Sequence, residues 1–96
     1  MRRILAAAIG LASIAAPHVA AAEPPAGAAA CTGCHPSSTR VNSPMPPLAG
    51  RDQAATVRAL EDFRAGTRPG TVMDRIAKGF TDAEIQAIAA WFAAQK

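Results

Sequence analysis

Apolar residues recur at helical spacing over residues 52–65. Val57, Leu60 and Phe63 lie three positions apart there, which places them on one face of a helix. Gly66 follows directly and is a typical stop signal, because glycine readily adopts the left-handed conformation in which many helices end. The segment is therefore a predicted helix with one apolar face.

A second helix is predicted after residue 81. Its first turn is a capping box, in which the Thr81 hydroxyl and the Glu84 carboxylate satisfy each other's exposed N–H groups. The apolar positions that follow form a stripe along one helix face. They are Ile85, Ile88, Ala89 and Phe92, and the helix is expected to continue to about Gln95.

The remaining segments are short. Residues 24–35 are rich in small side chains and are predicted to be helical after two leading prolines, and residues 71–78 can form two helical turns closed by Gly79. Residues 36–51 contain four prolines and three serines and are expected to be an ordered loop. The sequence shows no strand-like alternation of apolar and polar residues. The predicted fold class is all-α.

Residues 1–22 are typical of a secretory signal peptide. Two arginines precede an apolar run of about 13–16 residues, which is shorter than the ~20 residues that span a bilayer. Pro17 interrupts the run, and Ala20 and Ala22 match the small residues of a cleavage site. We expect a folded domain at residues 23–96, located in the periplasm and without a membrane span after cleavage. The alternative is a retained membrane anchor.

Composition limits the size of the core. The chain has 96 residues, enough for one small domain, and about half of its apolar residues are alanines. Alanine buries little area, and domains below ~70–80 residues usually need a metal, disulfides or a cofactor. The formal charge of +3 falls to +1 for residues 23–96, which hold eight basic and seven acidic residues. No basic stripe remains, so nucleic-acid binding loses its support.

The sequence Cys31-Thr32-Gly33-Cys34-His35 is the attachment motif of a c-type haem. Cysteines three positions apart face the same way on a helical turn, so both thiols can form thioethers with one porphyrin. His35 lies beneath the same face and can reach the iron. We therefore expect one covalently bound haem c, which would also complete the small core.

Other chemistries use the same residue types. A thioredoxin-like redox pair requires a βαβ unit, and no strand is predicted. A zinc site requires more ligands, but the chain has no third cysteine, and its other histidine, His18, lies in the predicted signal peptide. A disulfide between Cys31 and Cys34 would close too small a loop to add much stability. Haem attachment agrees with the export signal, the helical pattern and the small core together.

A further iron ligand should come from the opposite side of the porphyrin. Residues 23–96 offer Met45 and Met73. Met45 follows His35 by ten residues within the proline-rich loop, so we interpret it as packing or as cover for the haem edge. Met73 follows His35 by 38 residues, beyond a whole helix, and is the predicted ligand. A thioether ligand favours reduced iron and raises the reduction potential.

The order of these motifs resembles that of the class I c-type cytochromes over residues 27–94. The matching pieces after the cysteine motif are Pro46 to Gly50, Leu60 to Gly66, Met73, Thr81 to Ile85, and Trp91-Phe92. Phe63 to Pro69 and Thr71 to Gly79 also resemble the cytochrome subunits of flavocytochrome c sulfide dehydrogenases. The resemblance implies a small cytochrome c fold, with three to four short helices around one haem.

The same resemblance implies roles for single residues. Pro46 or Pro47 would offer a carbonyl oxygen to the ring N–H of His35 and fix the ring's orientation, and Pro46, two residues before Leu48, is favoured. Arg51 follows a glycine at a position where glutamine is frequent in the family. It would place a cation near a haem propionate, or else be a solvated loop charge.

The resemblance implies electron transfer through a His/Met-ligated haem and no bond chemistry, so the chain is expected not to be an enzyme by itself. Its partners would be redox proteins, such as the flavoprotein subunit of a sulfide dehydrogenase. A dedicated subunit should show an apolar patch at the haem edge, and a free carrier should show a charged ring. The alternative function is binding or sensing of CO, NO or sulfide, which requires a labile sixth ligand.

Overall fold

A computed structural model describes residues 15–17, 23–38 and 40–96. The predicted signal peptide falls almost wholly outside the described residues. Within them, no helix is long and apolar enough to cross a membrane. The described residues form helices and no strand, which confirms the all-α prediction. The helices are α1 (Ala28–Cys31), α2 (Gln53–Ala65), α3 (Met73–Ala77) and α4 (Asp82–Ala93).

The two long helices begin where the sequence predicts. At the start of α2, the Asp52 carboxylate accepts a hydrogen bond from the Ala55 N–H at 2.9 Å, and Gly66 ends this helix with φ of 79°. At the start of α4, the Glu84 N–H donates to Thr81 Oγ1 at 3.2 Å. The Thr81 N–H donates to Glu84 Oε2 at 3.1 Å, which completes the capping box.

The first helix is shorter than predicted. The sequence predicts a helix over residues 24–35, but α1 has 4 residues. Gly27 precedes it with a left-handed backbone (φ 88°), so the helix cannot continue from the two prolines. After Cys31 the chain continues in turns, with the Gly33 N–H donating to the Ala30 carbonyl oxygen at 3.2 Å. The cysteine motif therefore lies on a tight turn at the end of a single helical turn.

Helix α2 packs against both α3 and α4, and this packing forms the core. Phe80, on the turn between α3 and α4, packs against two clusters of buried side chains. One cluster contains Ala28, Ile88 and Phe92, and the other contains Val57, Ile85 and Ala89. Half of these residues are alanine or valine, so the core has the small volume that the composition indicates.

Two contacts hold the loops against the helices. The Gly50 N–H donates to the Phe92 carbonyl oxygen at 2.9 Å, which ties the end of the proline-rich loop to α4. The Arg64 guanidinium donates to the Phe80 carbonyl oxygen at 3.2 Å and pairs with the Asp82 carboxylate, which ties α2 to the start of α4. The cysteine turn, the proline-rich loop, α2 and α3 thereby face a common space.

Candidate functional site

That space is an apolar cavity of about 450 Å³. Its wall includes residues from the cysteine turn, the proline-rich loop and helices α2, α3 and α4. Each site residue predicted from the sequence lies on this wall, although they come from segments far apart along the chain. These residues are Cys31, Cys34, His35, Pro46, Arg51 and Met73.

Backbone hydrogen bonds shape the turn that carries the two cysteines. The carbonyl oxygen of Cys31 accepts from the His35 N–H at 2.9 Å and from the Cys34 N–H at 3.3 Å. Both cysteines are free thiols, with Cys31 half-buried and Cys34 exposed. Burial raises the pKa of the Cys31 thiol, and a backbone hydrogen bond opposes part of that rise. Two unpaired thiols thus lie at one edge of the cavity.

The His35 ring is held by the proline-rich loop. Its Nδ1 lies 2.7 Å from the carbonyl oxygen of Pro46. Because a carbonyl oxygen can only accept, Nδ1–H is the donor, and in the neutral ring Nε2 keeps an unshared electron pair. This arrangement is typical of histidines that bind a metal through Nε2. Of the two prolines that the resemblance names, Pro46, the favoured one, accepts this hydrogen bond.

Met73 is the first residue of α3 and is half-buried at the cavity wall. Met73 and His35 therefore belong to different elements, in agreement with the 38 residues that separate them. Val72 and Ile76 lie beside it on the same wall. Thioether sulfur is a ligand for haem iron, so imidazole and thioether side chains are both present at this cavity.

Part of the cavity wall that α2 forms is not apparent from the sequence. The pattern suggests one apolar face through Val57, Leu60 and Phe63. In the structure, Val57 packs against α4, whereas Thr56, Leu60 and Phe63 line the cavity. The signal that could have identified this face is a threonine placed four residues before Leu60 and seven before Phe63.

A positively charged side chain on the wall, that of Arg68, is also not apparent from the sequence. Arg68 lines the cavity, and its guanidinium carbon lies 4.8 Å from the centroid of the Phe63 ring, in cation–π contact. Arg51, which was predicted, lines the cavity as well. Among the described residues, no carboxylate side chain belongs to the wall. The cavity is therefore apolar with positive charge at its edge.

These features fit a haem. Four large apolar side chains are exposed among the described residues, and three of them line this wall. These three are Met45 (41%), Val72 (53%) and Ile76 (41%). A flat macrocycle would cover them, and the two arginines would face its propionates. The backbone at Gly70 passes so close to Phe63 that a Cβ atom at this position would lie 2.9 Å from the ring. Thiols can attach a haem covalently, and imidazole and thioether are both ligands of haem iron.

Comparison with known proteins finds similar cytochromes. The chain is 42% identical over 62 residues to the cytochrome subunit of sulfide dehydrogenase of Chlorobaculum tepidum, an alignment that covers 65% of this chain and 56% of that protein. It is 39% identical over 67 residues to a thiosulfate dehydrogenase electron acceptor of Stutzerimonas stutzeri, covering 66% of this chain and 31% of that protein. It is 30% identical over 79 residues to cytochrome c4 of Azotobacter vinelandii, covering 72% and 38%.

The chain spans about half the length of the first of these relatives and about a third of the other two. No family model matches the chain. The similarity therefore concerns a domain of roughly this size within longer relatives.

Proposed function

We propose that this chain, which belongs to the class I c-type cytochromes and has their small helical fold, transfers single electrons through one covalently attached haem. The observation that carries the proposal is the convergence of two thiols, an imidazole and a thioether on one apolar cavity. Bound haem c supplies a one-electron change at its iron. The roles of the protein are to attach, orient and shield that group.

Attachment is assigned to Cys31 and Cys34. Their position on one turn at the cavity edge supports thioether links to a single porphyrin, and the common acceptor at the Cys31 carbonyl oxygen keeps that turn compact. The chain holds these two cysteines and no others, so one haem is the number proposed.

Iron ligation is assigned to His35 and Met73. The Pro46 carbonyl oxygen engages Nδ1 of the imidazole and so supports the orientation in which Nε2 is the nitrogen left to bind iron. Met73 would supply the sixth ligand from α3, and its thioether would stabilise the reduced iron. With both positions filled, no site is left for substrate at the iron.

Electrons would enter and leave at the open side of the cavity. Met45 and Pro46 form an apolar rim there, and Arg51 and Arg68 are the charged residues of the described wall. This mixture favours a fixed redox partner that buries apolar surface over a carrier with a charged ring. The names of the relatives support a dehydrogenase that oxidises sulfide or thiosulfate as that partner. Its flavoprotein subunit is one candidate for the direct electron donor.

The proposed location is the periplasm, reached through a signal peptide at residues 1–22 that is removed to leave residues 23–96. Its support is the sequence pattern of charge, apolar run and small residues.

The test is expression of the full chain with export into a periplasm that matures c-type cytochromes. Denaturing electrophoresis followed by a haem stain should show colour on the unfolded chain, because thioether links survive denaturation. The matched variant with Cys31→Ser and Cys34→Ser should lose the colour while its band on a protein stain remains. A colourless wild-type band would contradict the proposal.

A further inference from the structure

The segment that joins α2 to α3 folds back onto the end of α2 and leads directly to Met73. The Thr67 N–H and the Arg68 N–H both donate to the Asp62 carbonyl oxygen, at 3.0 and 3.2 Å. The Thr67 hydroxyl donates to the same oxygen at 3.3 Å. These bonds fix the path of the connection, so the residues that follow it reach the cavity wall from a defined direction.

Phe63 is the side chain against which this connection packs. Its ring is half-buried on the cavity wall, and the Arg68 guanidinium carbon lies 4.8 Å from the ring centroid. A Cβ atom at Gly70 would lie 2.9 Å from Cε1 and 3.2 Å from Cδ1 of the same ring. Two residues of the connection thus lie against one aromatic ring, Arg68 through its cation and Gly70 through its backbone.

The glycine at position 70 is explained by this close approach. Gly70 is not among the glycines with positive φ, so its backbone conformation does not by itself require glycine. A side chain there would meet the Phe63 ring on one side, and its Cβ atom would lie 3.6 Å from the Asp74 nitrogen in the first turn of α3. The missing side chain therefore lets α3 begin close to the end of α2.

We propose that Phe63, Arg68 and Gly70, here called the Phe63 cluster, hold the start of α3 so that Met73 stays within reach of the iron. The three are positioning residues, because none of them supplies a ligand. The inference rests on the proposed function, in which Met73 is the sixth ligand. Helix α3 has 5 residues and no side-chain cap, so a contact outside the helix is needed to fix its first residue. A ligand that is already held in place loses less conformational freedom when it binds.

The test is imidazole binding to the oxidised, haem-loaded protein, followed by absorption spectroscopy. Imidazole must displace the sixth ligand, so its half-saturating concentration reports how firmly Met73 is held. Gly70→Ala places a Cβ atom against the Phe63 ring while Met73 is bound, and release of Met73 relieves that contact. The half-saturating concentration should therefore fall about tenfold. An unchanged value, in protein that stains for haem, overturns the inference and leaves the proposed function intact.

Arg68→Gln tests the other side of the cluster. It removes the cation from the ring and should lower the half-saturating concentration about two- to fivefold, as expected for an exposed cation–π contact. Arg58→Gln is the matched control, because Arg58 is exposed on α2 outside the cavity wall, and its value should equal that of the wild type. In a Phe63→Leu background, Arg68→Gln should have no effect. An effect that persists there shows that Arg68 acts by its charge and overturns the inference.

A Met73→Ala background separates positioning of the ligand from a general change in the cavity. With the sixth position already open, Gly70→Ala should leave imidazole binding unchanged, and an equal tenfold change there would show altered access and overturn the inference. If Gly70→Ala does not retain haem, Arg68→Gln decides the question. A wild-type chain without haem overturns the proposed function instead, and a Met73→Ala variant that binds imidazole no more tightly than the wild type overturns the assignment of the ligand.

Discussion

Single side chains at the cavity offer different chemical groups. Cys31 and Cys34 offer thiols, His35 offers an imidazole whose Nδ1 is engaged by Pro46, and Met73 offers a sulfur from another element. The hydrogen bond of 2.7 Å to the His35 ring lies within the normal range for an N–H donor. Each of these side chains can be removed separately.

Replacing Met73 separates the two functions that the sequence left open. In Met73→Ala the sixth position at the iron should open, so carbon monoxide should produce a large, saturable change in the absorption spectrum of the reduced protein. The reduction potential should also fall, because the thioether favours reduced iron. The wild type at neutral pH should show no such change with carbon monoxide.

Met45→Ala is the matched control, since Met45 lines the same cavity but is interpreted as cover. Its reduced spectrum should remain insensitive to carbon monoxide. A wild-type spectrum that carbon monoxide changes strongly would favour a ligand-binding or sensing protein with a labile sixth ligand over an electron carrier.

At the scale of elements, the helices are short and their ends matter. Helix α4 supplies buried side chains to both core clusters, and it begins at a capping box whose two hydrogen bonds are both present. Helix α3 has 5 residues and no side-chain cap, and it depends on packing against α2 to stay in place. A connection of 4 residues joins the end of α3 to the start of α4. Because this connection is short, the cap that fixes the start of α4 also limits where α3 can lie.

Removing the cap of α4 should destabilise the protein. Thr81→Ala deletes the oxygen that accepts from the Glu84 N–H, and the expected loss is about 1 kcal/mol in the free energy of unfolding. Denaturant titration of the haem-loaded protein, followed by far-UV circular dichroism, measures this loss. Thr81→Ser keeps an acceptor oxygen and should stay close to the wild type. Equal losses in both variants would show that the cap contributes little.

At the scale of the whole molecule, the buried core of the described residues is small. Ile85 is the largest side chain that is fully buried among the described residues, and three of the buried apolar residues are alanines. The cavity of about 450 Å³ lies at the side of this core and is bounded by most of the same elements. A covalent macrocycle in that space would act as core for the helices around it.

The haem-free chain should therefore be much less stable than the loaded one. In the Cys31→Ser, Cys34→Ser variant, thermal unfolding followed by circular dichroism should lose cooperativity and shift its midpoint down by more than about 10 °C, since 1 kcal/mol moves a domain of this size by about 4–8 °C. Thr32→Ser, within the same motif but with both cysteines kept, should unfold as the wild type does. An unchanged midpoint in the double variant would mean that the protein core suffices.

Features that depend only on neighbouring residues were predictable from the sequence. The cap at Thr81, the stop at Gly66 and the five-residue cysteine motif each depend on atoms a few positions apart, so local spacing determines them. The all-α class follows from the same local periodicity. Even the length of chain before Met73 limited where a second ligand could come from.

Contacts between distant segments were decided by the tertiary structure. Two adjacent prolines present carbonyl oxygens of the same chemistry, and the packing of the loop against His35 selects Pro46. The residues of α2 do not by themselves show which side of the helix packs against α4 and which side lines the cavity. The packing of α2 against α3 and α4 places Val57 in the core and Thr56 on the cavity wall. The sequence by itself therefore determined the reactive groups, and the tertiary structure determined which side chains surround them, because that depends on how separate elements pack.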